Sequence, residues 1–168
     1  SEAVYVFAEA YLWDITPVRA ASTLSGPADT TDTDATVTIN HTAHGLNDGA
    51  YAFIHNGTAV GGLSLGGGGT LSSGSIRTST GSKALVVSET AHGMSTHDRV
   101  TFASATAVGG VASANINTTH TIVVLDVDTF LITQATAATS DATGAGTPTW
   151  IGLKAYEITY VDANSYTI

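Results

Sequence analysis

The sequence predicts an all-β protein made of two small antiparallel β-barrel or β-sandwich modules. Threonine supplies 28 of the 168 residues and glycine 18, while charged residues make up only 11%. Threonine and valine favour half-buried strands, and glycine favours the turns between them. A repeat that occurs twice, with one copy lodged inside the other, predicts two modules rather than one.

The first half of the repeat, motif A, begins at residues 42–45 and returns at residues 90–93 as the same Thr-Ala-His-Gly sequence. Both copies close with Thr-Ala-Val-Gly-Gly, at residues 58–62 and 106–110, so the offset is 48 throughout. Motif A therefore predicts a strand, a His-Gly turn, a second strand and a Val-Gly-Gly turn in each module.

The second half, motif B, occurs at residues 119–132 and again at 155–168, an offset of 36. The order along the chain is thus A, A, B, B. We interpret this order as one module inserted into a loop of its twin. The interpretation predicts that residues 36–62 share a sheet or barrel with residues 151–168.

In motif B, the sequence Val161-Asp-Ala-Asn predicts a tight turn between two strands, because Asp and Asn are turn formers. The inner copy has Val127 in place of Ala163. This larger residue predicts a looser turn there.

The boundaries follow from the repeat and from polar, glycine-rich stretches. The predicted segments are an N-terminal strand and linker (1–34), a discontinuous outer module (35–65 plus 150–168), an inserted inner module (75–138), and two linkers (66–74 and 139–149).

The N-terminal stretch at residues 4–13 is too apolar to stand free in water. We predict an assembly strand there, with Tyr5, Phe7, Tyr11 and Trp13 covered by another chain, or by further parts of a longer polypeptide, in a symmetric oligomer. Pro17 ends the strand, because a proline restricts the residue before it.

The formal net charge is −9, from 14 acidic and five basic residues. This charge disfavours nucleic acids and anionic membranes as partners. No apolar run is long enough for membrane insertion, and the absence of cysteine excludes disulfides and thiolate sites. We also expect the chain to be a segment of a longer polypeptide.

The repeat favours structural turn residues over a catalytic or metal site. A histidine beside glycine in both copies indicates a residue that fixes a loop, since a zinc site needs three or four converging ligands. We therefore predict no metal, no cofactor and no catalytic group. The predicted turn residues are His44, Gly45, Gly61, Gly62, His92, Gly93, Gly109 and Gly110.

Other candidate sites are weaker. Asp29, Asp32 and Asp34 lack the spacing of a calcium loop, and no Gly-x-Ser-x-Gly element links a strand to a helix. The aromatic residues of the strands are interpreted as core rather than as a sugar-binding platform. The chain is therefore predicted not to be an enzyme.

These motifs resemble repeats of bacteriophage tail proteins. The resemblance is carried by Thr-Ala-His-Gly, by residues 98–110 and by the strand pair at residues 122–130. The segment at residues 12–19 also resembles a stretch that precedes such repeats in large tail proteins. Some of these repeats are similar to the small β-barrel half-domain of ubiquitin-activating enzymes, which implies a shared shape only.

The resemblance implies a virion structural protein, a hub, nozzle or fibre-like segment of a phage tail that acts as a packing scaffold. Its partners would be symmetry-related copies and other tail proteins, and its location the virion, or otherwise the cell surface. The alternative function is a receptor- or carbohydrate-binding module that contacts a host surface glycan.

Overall fold

The computed structural model describes residues 28–30, for the backbone alone, together with residues 36–53 and 66–168. The predicted all-β class is confirmed. The strands are β1 (Ala28–Thr30), β2 (Val37–Asn40), β3 (Tyr51–Phe53), β4 (Gly68–Thr70), β5 (Ile76–Thr78), β6 (Ala84–Ser88), β7 (Arg99–Ala103), β8 (Thr119–Asp126), β9 (Thr129–Thr133), β10 (Ala142–Gly144), β11 (Thr149–Leu153), β12 (Ala155–Glu157), β13 (Thr159–Asp162) and β14 (Ser165–Thr167).

The described chain divides into two compact units. The outer unit contains the described residues up to Ala52 and those from Tyr156 to Ile168. The inner unit contains Phe53 and the described residues from 66 to Ala155. Most of the inner unit thus lies, in sequence, between the two parts of the outer unit.

In the outer unit, four strands form an antiparallel sheet in the order β1-β2-β14-β13. The predicted pairing of the two distant motifs is observed, since Ile39 of β2 lies opposite Tyr166 of β14. β3 and β12 form a separate two-stranded sheet. The buried apolar residues of this unit are Val37, Ile39, Ala52, Ile158 and Tyr166.

The inner unit is an eight-stranded antiparallel sheet in the order β10-β5-β6-β9-β8-β7-β11-β4. Burial alternates along its central strands, as the two-residue period of a strand requires. In β6, for example, Leu85 and Val87 are fully buried while Val86 between them is not. The buried side belongs to one core cluster that includes Phe102, Phe130 and Trp150.

The structure differs from the predicted boundaries at four strands. β1 lies in the predicted N-terminal linker, and β4 and β10 lie in the predicted linkers 66–74 and 139–149. β11, placed by the sequence in the outer module, pairs with β7 and β4 of the inner sheet.

Close packing explains why strand β4 and the residue before it are rich in glycine. A Cβ atom at Gly67 would lie 3.0 Å from Cη2 of Trp150, and one at Gly68 would lie 3.0 Å from the carbonyl oxygen of Trp150. The glycines therefore let the backbone approach the tryptophan of β11. In the sequence, the same composition is indistinguishable from a flexible linker.

The described part of the chain has one short helix, α1 (Ser113–Ile116), which the sequence did not predict. Its Ile116 is fully buried in the inner core. Within those same residues, no helix has the length and apolarity that crossing a membrane requires.

Candidate functional site: a histidine–aspartate turn present in both units

In the inner unit, His92 is buried in the turn that follows β6. Its Nδ1 accepts a hydrogen bond from the backbone N–H of Met94 at 3.0 Å, so the ring proton lies on Nε2. Nε2 donates to the carbonyl oxygen of Asp126 at 3.0 Å. The histidine therefore ties motif A to motif B at the end of β8.

Two aspartates complete the inner turn. Asp126 Oδ1 accepts from the backbone N–H of Asp128 at 2.9 Å, which closes the two-residue loop between β8 and β9. Asp128 Oδ1 in turn accepts from the N–H of Ala91 at 2.8 Å. The pKa of Asp126 lies below its usual range because the Asp128 N–H and the Thr129 side chain donate hydrogen bonds to its carboxylate.

The outer unit repeats this arrangement bond for bond. His44 accepts from the N–H of Leu46 at 3.0 Å and donates to the carbonyl oxygen of Asp162 at 2.7 Å. Asn164 takes the place of Asp128, and its Oδ1 accepts from the N–H of Ala43 at 3.1 Å. The N–H of Asn164 donates to Asp162 Oδ1 at 2.7 Å.

The loop between β8 and β9 is not looser than its counterpart. The bond from Asp128 N–H to Asp126 and the bond from Asn164 N–H to Asp162 both form, although Val127 stands where the outer unit has Ala163. The predicted loosening is wrong because the side chain of Val127 is 67% exposed and does not enter the hydrogen-bonded loop.

Ring packing also matches between the units. The rings of His92 and Phe130 lie edge to face with centroids 5.2 Å apart, and those of His44 and Tyr166 lie edge to face at 5.1 Å. Both strand pairs carry a β-bulge at the same register, which leaves Leu125 and Val161 as the extra residues.

In each unit, a side chain caps the first strand of motif B just before the bulge. Thr96 Oγ1 accepts from the N–H of Val124 at 3.0 Å, and Asp48 Oδ1 accepts from the N–H of Tyr160 at 2.9 Å. β13, which carries Tyr160, is an edge strand of its sheet. The cap occupies a backbone donor that could otherwise pair with another strand.

One feature of the inner unit has no equivalent among the described residues of the outer unit. Asp98 is fully buried and forms an ion pair with Lys154, with Nζ and Oδ2 3.1 Å apart. Its carboxylate also accepts from the backbone N–H groups of Ser95 at 2.7 Å and Ala155 at 2.8 Å. The outer unit has Ala50 at the equivalent position, so this ion pair is an addition to the shared fold.

The predicted turn residues have different locations. His44, Gly45, His92 and Gly93 lie in the two equivalent turns, and both glycines have positive φ. Gly109 and Gly110 form the turn between the bridged residues Val108 and Val111, again with positive φ. Gly61, Gly62, Tyr5, Phe7, Tyr11 and Trp13 lie outside the described residues.

The geometry leaves neither turn histidine free to bind a metal through a ring nitrogen, because both nitrogens of each ring contact the backbone. Across residues 36–53 and 66–168, no three His, Asp or Glu side chains are grouped as a metal site would need.

A polar surface cleft of about 350 Å³ lies beside the inner turn. Hydroxyl groups and carboxylates line it, from Ser72, Ser75, Ser88, Glu89, Thr90, Asp128 and Thr129. Its lining contains no aromatic ring that could stack against a sugar.

Sequence reasoning identified the histidines and missed their partners. Asp126 and Asp162 occupy equal positions at the offset of 36, and this was the signal that could have found them. Thr96 and Asp48 both accept a hydrogen bond from a strand N–H, but they are different residue types. Sequence identity between the two copies could therefore not have revealed them.

The chain was compared with protein families, curated proteins and solved structures. No protein family matches the chain, and no curated protein matches it. Among solved structures, the phage phi92 endosialidase matches with a TM-score of 0.40 and 21% identity, over 75% of this chain and 16% of that one. The chain thus spans a small part of the endosialidase's length.

Proposed function

We propose that the protein is a virion structural protein, a segment of a phage tail component that acts as a packing and assembly scaffold. The observation that carries the proposal is the turn present in both units. Each polar side chain that recurs there bonds to the chain's own backbone, so the repeated element serves the shape of the module. The resemblance of the same motifs to phage tail repeats supports this reading.

We also propose that the protein is not an enzyme. His44 and His92, the histidines shared by the repeat, use both ring nitrogens in backbone hydrogen bonds. A general base needs a nitrogen within reach of a substrate proton. The proposed partners are symmetry-related copies and other tail proteins, and the proposed location is the virion.

Labelling of purified phage particles tests the proposal. An antibody raised against this chain, with gold detection in the electron microscope, should label tails of the phage that encodes it. The same antibody after absorption with the purified chain is the control. Particles that contain no such chain by mass spectrometry, although infected cells make it, would contradict the proposal.

The polar cleft favours a second function, binding of a host surface glycan, because its hydroxyls and carboxylates can hydrogen-bond to sugar hydroxyls. A glycan array with the whole chain tests this alternative. A specific signal that Glu89→Gln abolishes would support it, with Thr136→Ala, at an exposed position that does not line the cleft, as the control variant. An array without signal leaves the scaffold as the better account.

A further inference from the structure

The outward side of the inner sheet carries a row of residues that lie opposite one another on four neighbouring strands. Arg77 of β5 pairs with Val86 of β6, Val86 with Leu131 of β9, and Leu131 with Val123 of β8. Their neighbours along each central strand point into the core, so these side chains share the outer face of the sheet.

The aliphatic part of the row continues to the β8–β9 loop. Val123, Leu125 and Val127 are 49%, 53% and 67% exposed. Together with the half-buried Val86 and Leu131 they form one surface, here named the apolar face. Clustered exposed aliphatic residues of this kind mark interaction surfaces more often than scattered ones do.

The outer unit shows that folding does not require this surface. At the equivalent register positions it carries Thr38, Thr159, Val161, Ala163 and Thr167. Threonine has nearly the shape of valine and forms the same strands. Three of the five positions are therefore aliphatic in the inner unit and hydroxylated in the outer unit, although the strand pairing is the same.

The ends of the apolar face carry opposite charges. Arg77 lies at the β5 end and is exposed, whereas Asp126 and Asp128 flank Val127 at the loop and are also exposed. β5 and β8 are three strand positions apart, about 14 Å. A two-fold axis near Leu131 would bring the basic end of one copy over the acidic end of the other.

We propose that the apolar face is the contact between two copies of this chain, packed face to face around a two-fold axis. Such an interface is self-complementary, because each copy supplies both Arg77 and the two aspartates. This inference deepens the proposed scaffold by naming its surface and its partner. The net charge of −9 opposes association at long range, but physiological salt screens charges beyond about 8 Å while contact pairs persist.

The five side chains expose less area than the roughly 800 Å² per partner of a standard stable interface. The dimer is therefore expected to be weak in isolation, with a dissociation constant in about the micromolar range. Sedimentation of the full chain up to roughly 100 μM should show a concentration-dependent dimer, since that concentration lies well above such a constant.

The decisive variant gives the inner unit the residues that the outer unit carries at the same register positions: Arg77→Asp, Val86→Thr, Val123→Thr and Leu131→Thr. The first change follows from Asp29, which lies opposite Thr38 in the outer unit as Arg77 lies opposite Val86 in the inner unit. The variant should fold, as judged by circular dichroism, and its dissociation constant should rise at least about a hundredfold, since each change acts twice in a symmetric dimer. The matched control changes Thr38, Thr159 and Thr167 to alanine and should dimerise like the parent.

A cysteine variant tests the axis directly, because the chain has no cysteine of its own. Leu131→Cys should form a disulfide-linked dimer under mild oxidation, and Thr167→Cys at the equivalent outer position should not. A parent chain that stays monomeric at about 100 μM, or a fourfold variant that associates like the parent, would overturn the inference. Neither result would change the outcome of the tail-labelling experiment, which tests the proposed scaffold function separately.

Discussion

The Nε2 atom of His92 lies 3.0 Å from the carbonyl oxygen of Asp126, and this bond joins the two halves of a repeat across 34 residues of sequence. His44 and Asp162 make the same bond at 2.7 Å across 118 residues. The inserted sequence lengthens the loop without altering the turn. Loop-closure entropy rises only slowly with length, which makes such an insertion tolerable.

Replacing either turn histidine should destabilise its unit. His92→Ala removes the acceptor for Met94 N–H and the donor to Asp126, and His44→Ala does the same in the outer unit. We expect each to lower the free energy of unfolding by about 1–3 kcal/mol. Chemical denaturation followed by circular dichroism measures the loss.

His97→Gly is the control for these variants. His97 has a φ of 83°, and the outer unit has Gly49 at the equivalent position with a φ of 77°. Glycine adopts this conformation without steric cost, so relief of the positive-φ strain should offset part of what losing the side chain costs. The loss should therefore be well below that of His92→Ala. Equal losses for His97→Gly and His92→Ala would show that the ring bonds do not matter.

Asp128 and Asn164 should be interchangeable. Each uses one side-chain oxygen to accept from a backbone N–H of the histidine turn, from Ala91 and Ala43 respectively. Asp128→Asn and Asn164→Asp should therefore change stability by less than about 0.5 kcal/mol, whereas Asp128→Ala should cost about 1 kcal/mol. Thermal melts of the three variants decide the point, and a large cost for Asp128→Asn would indicate a role for its charge.

The buried ion pair predicts strong coupling between Asp98 and Lys154. Asp98→Ala leaves Lys154 without its carboxylate and removes the acceptor of two backbone N–H groups. We expect a loss of about 3–5 kcal/mol. A double-mutant cycle with Lys154→Met should show coupling of at least about 1 kcal/mol. Additive losses would mean that the ion pair contributes nothing beyond its separate parts.

His120 predicts a loss of stability in mild acid. Burial lowers the pKa of His120 against the opposing effect of backbone carbonyls such as that of Ile116. The unfolded chain therefore binds a proton more readily than the folded protein does. The stabilisation is complete above about pH 6.5 and is lost as pH falls through the folded pKa. His120→Gln should flatten this dependence in denaturant titrations between about pH 7 and 5, and an unchanged slope would contradict the assignment.

The outer unit should fold without the inner one. Replacing residues 66–153 with a flexible linker of about six residues keeps β2, β14 and the His44 turn intact. The shortened chain should give a β-type circular dichroism spectrum and a cooperative melt. The same deletion combined with His44→Ala is the control, and it should melt earlier. A spectrum of an unfolded chain for the deletion alone would contradict the nested-module interpretation.

The sequence by itself determined the all-β class, the identity of the turn histidines and the pairing of distant motifs. These features follow from the composition and from a repeat at fixed offsets, and both can be read directly from the order of the residues. The shared sheet of residues 36–62 and 151–168, in which Ile39 lies opposite Tyr166, and the turn at His92 are the two features expected from the sequence alone.

Only the tertiary structure decided where the sheets end and which faces are exposed. A glycine pair such as Gly67 and Gly68 has the same sequence whether it lies in a flexible linker or in a strand packed against Trp150. Only the close approach of Trp150 in the structure shows that these two glycines belong to a packed strand and its start. Thr38 and Val86 occupy equivalent positions, and in each strand the residues immediately before and after them are buried. What a side chain contacts depends on strands distant in sequence, so the apolar face became visible only once β6, β9 and β8 were placed side by side.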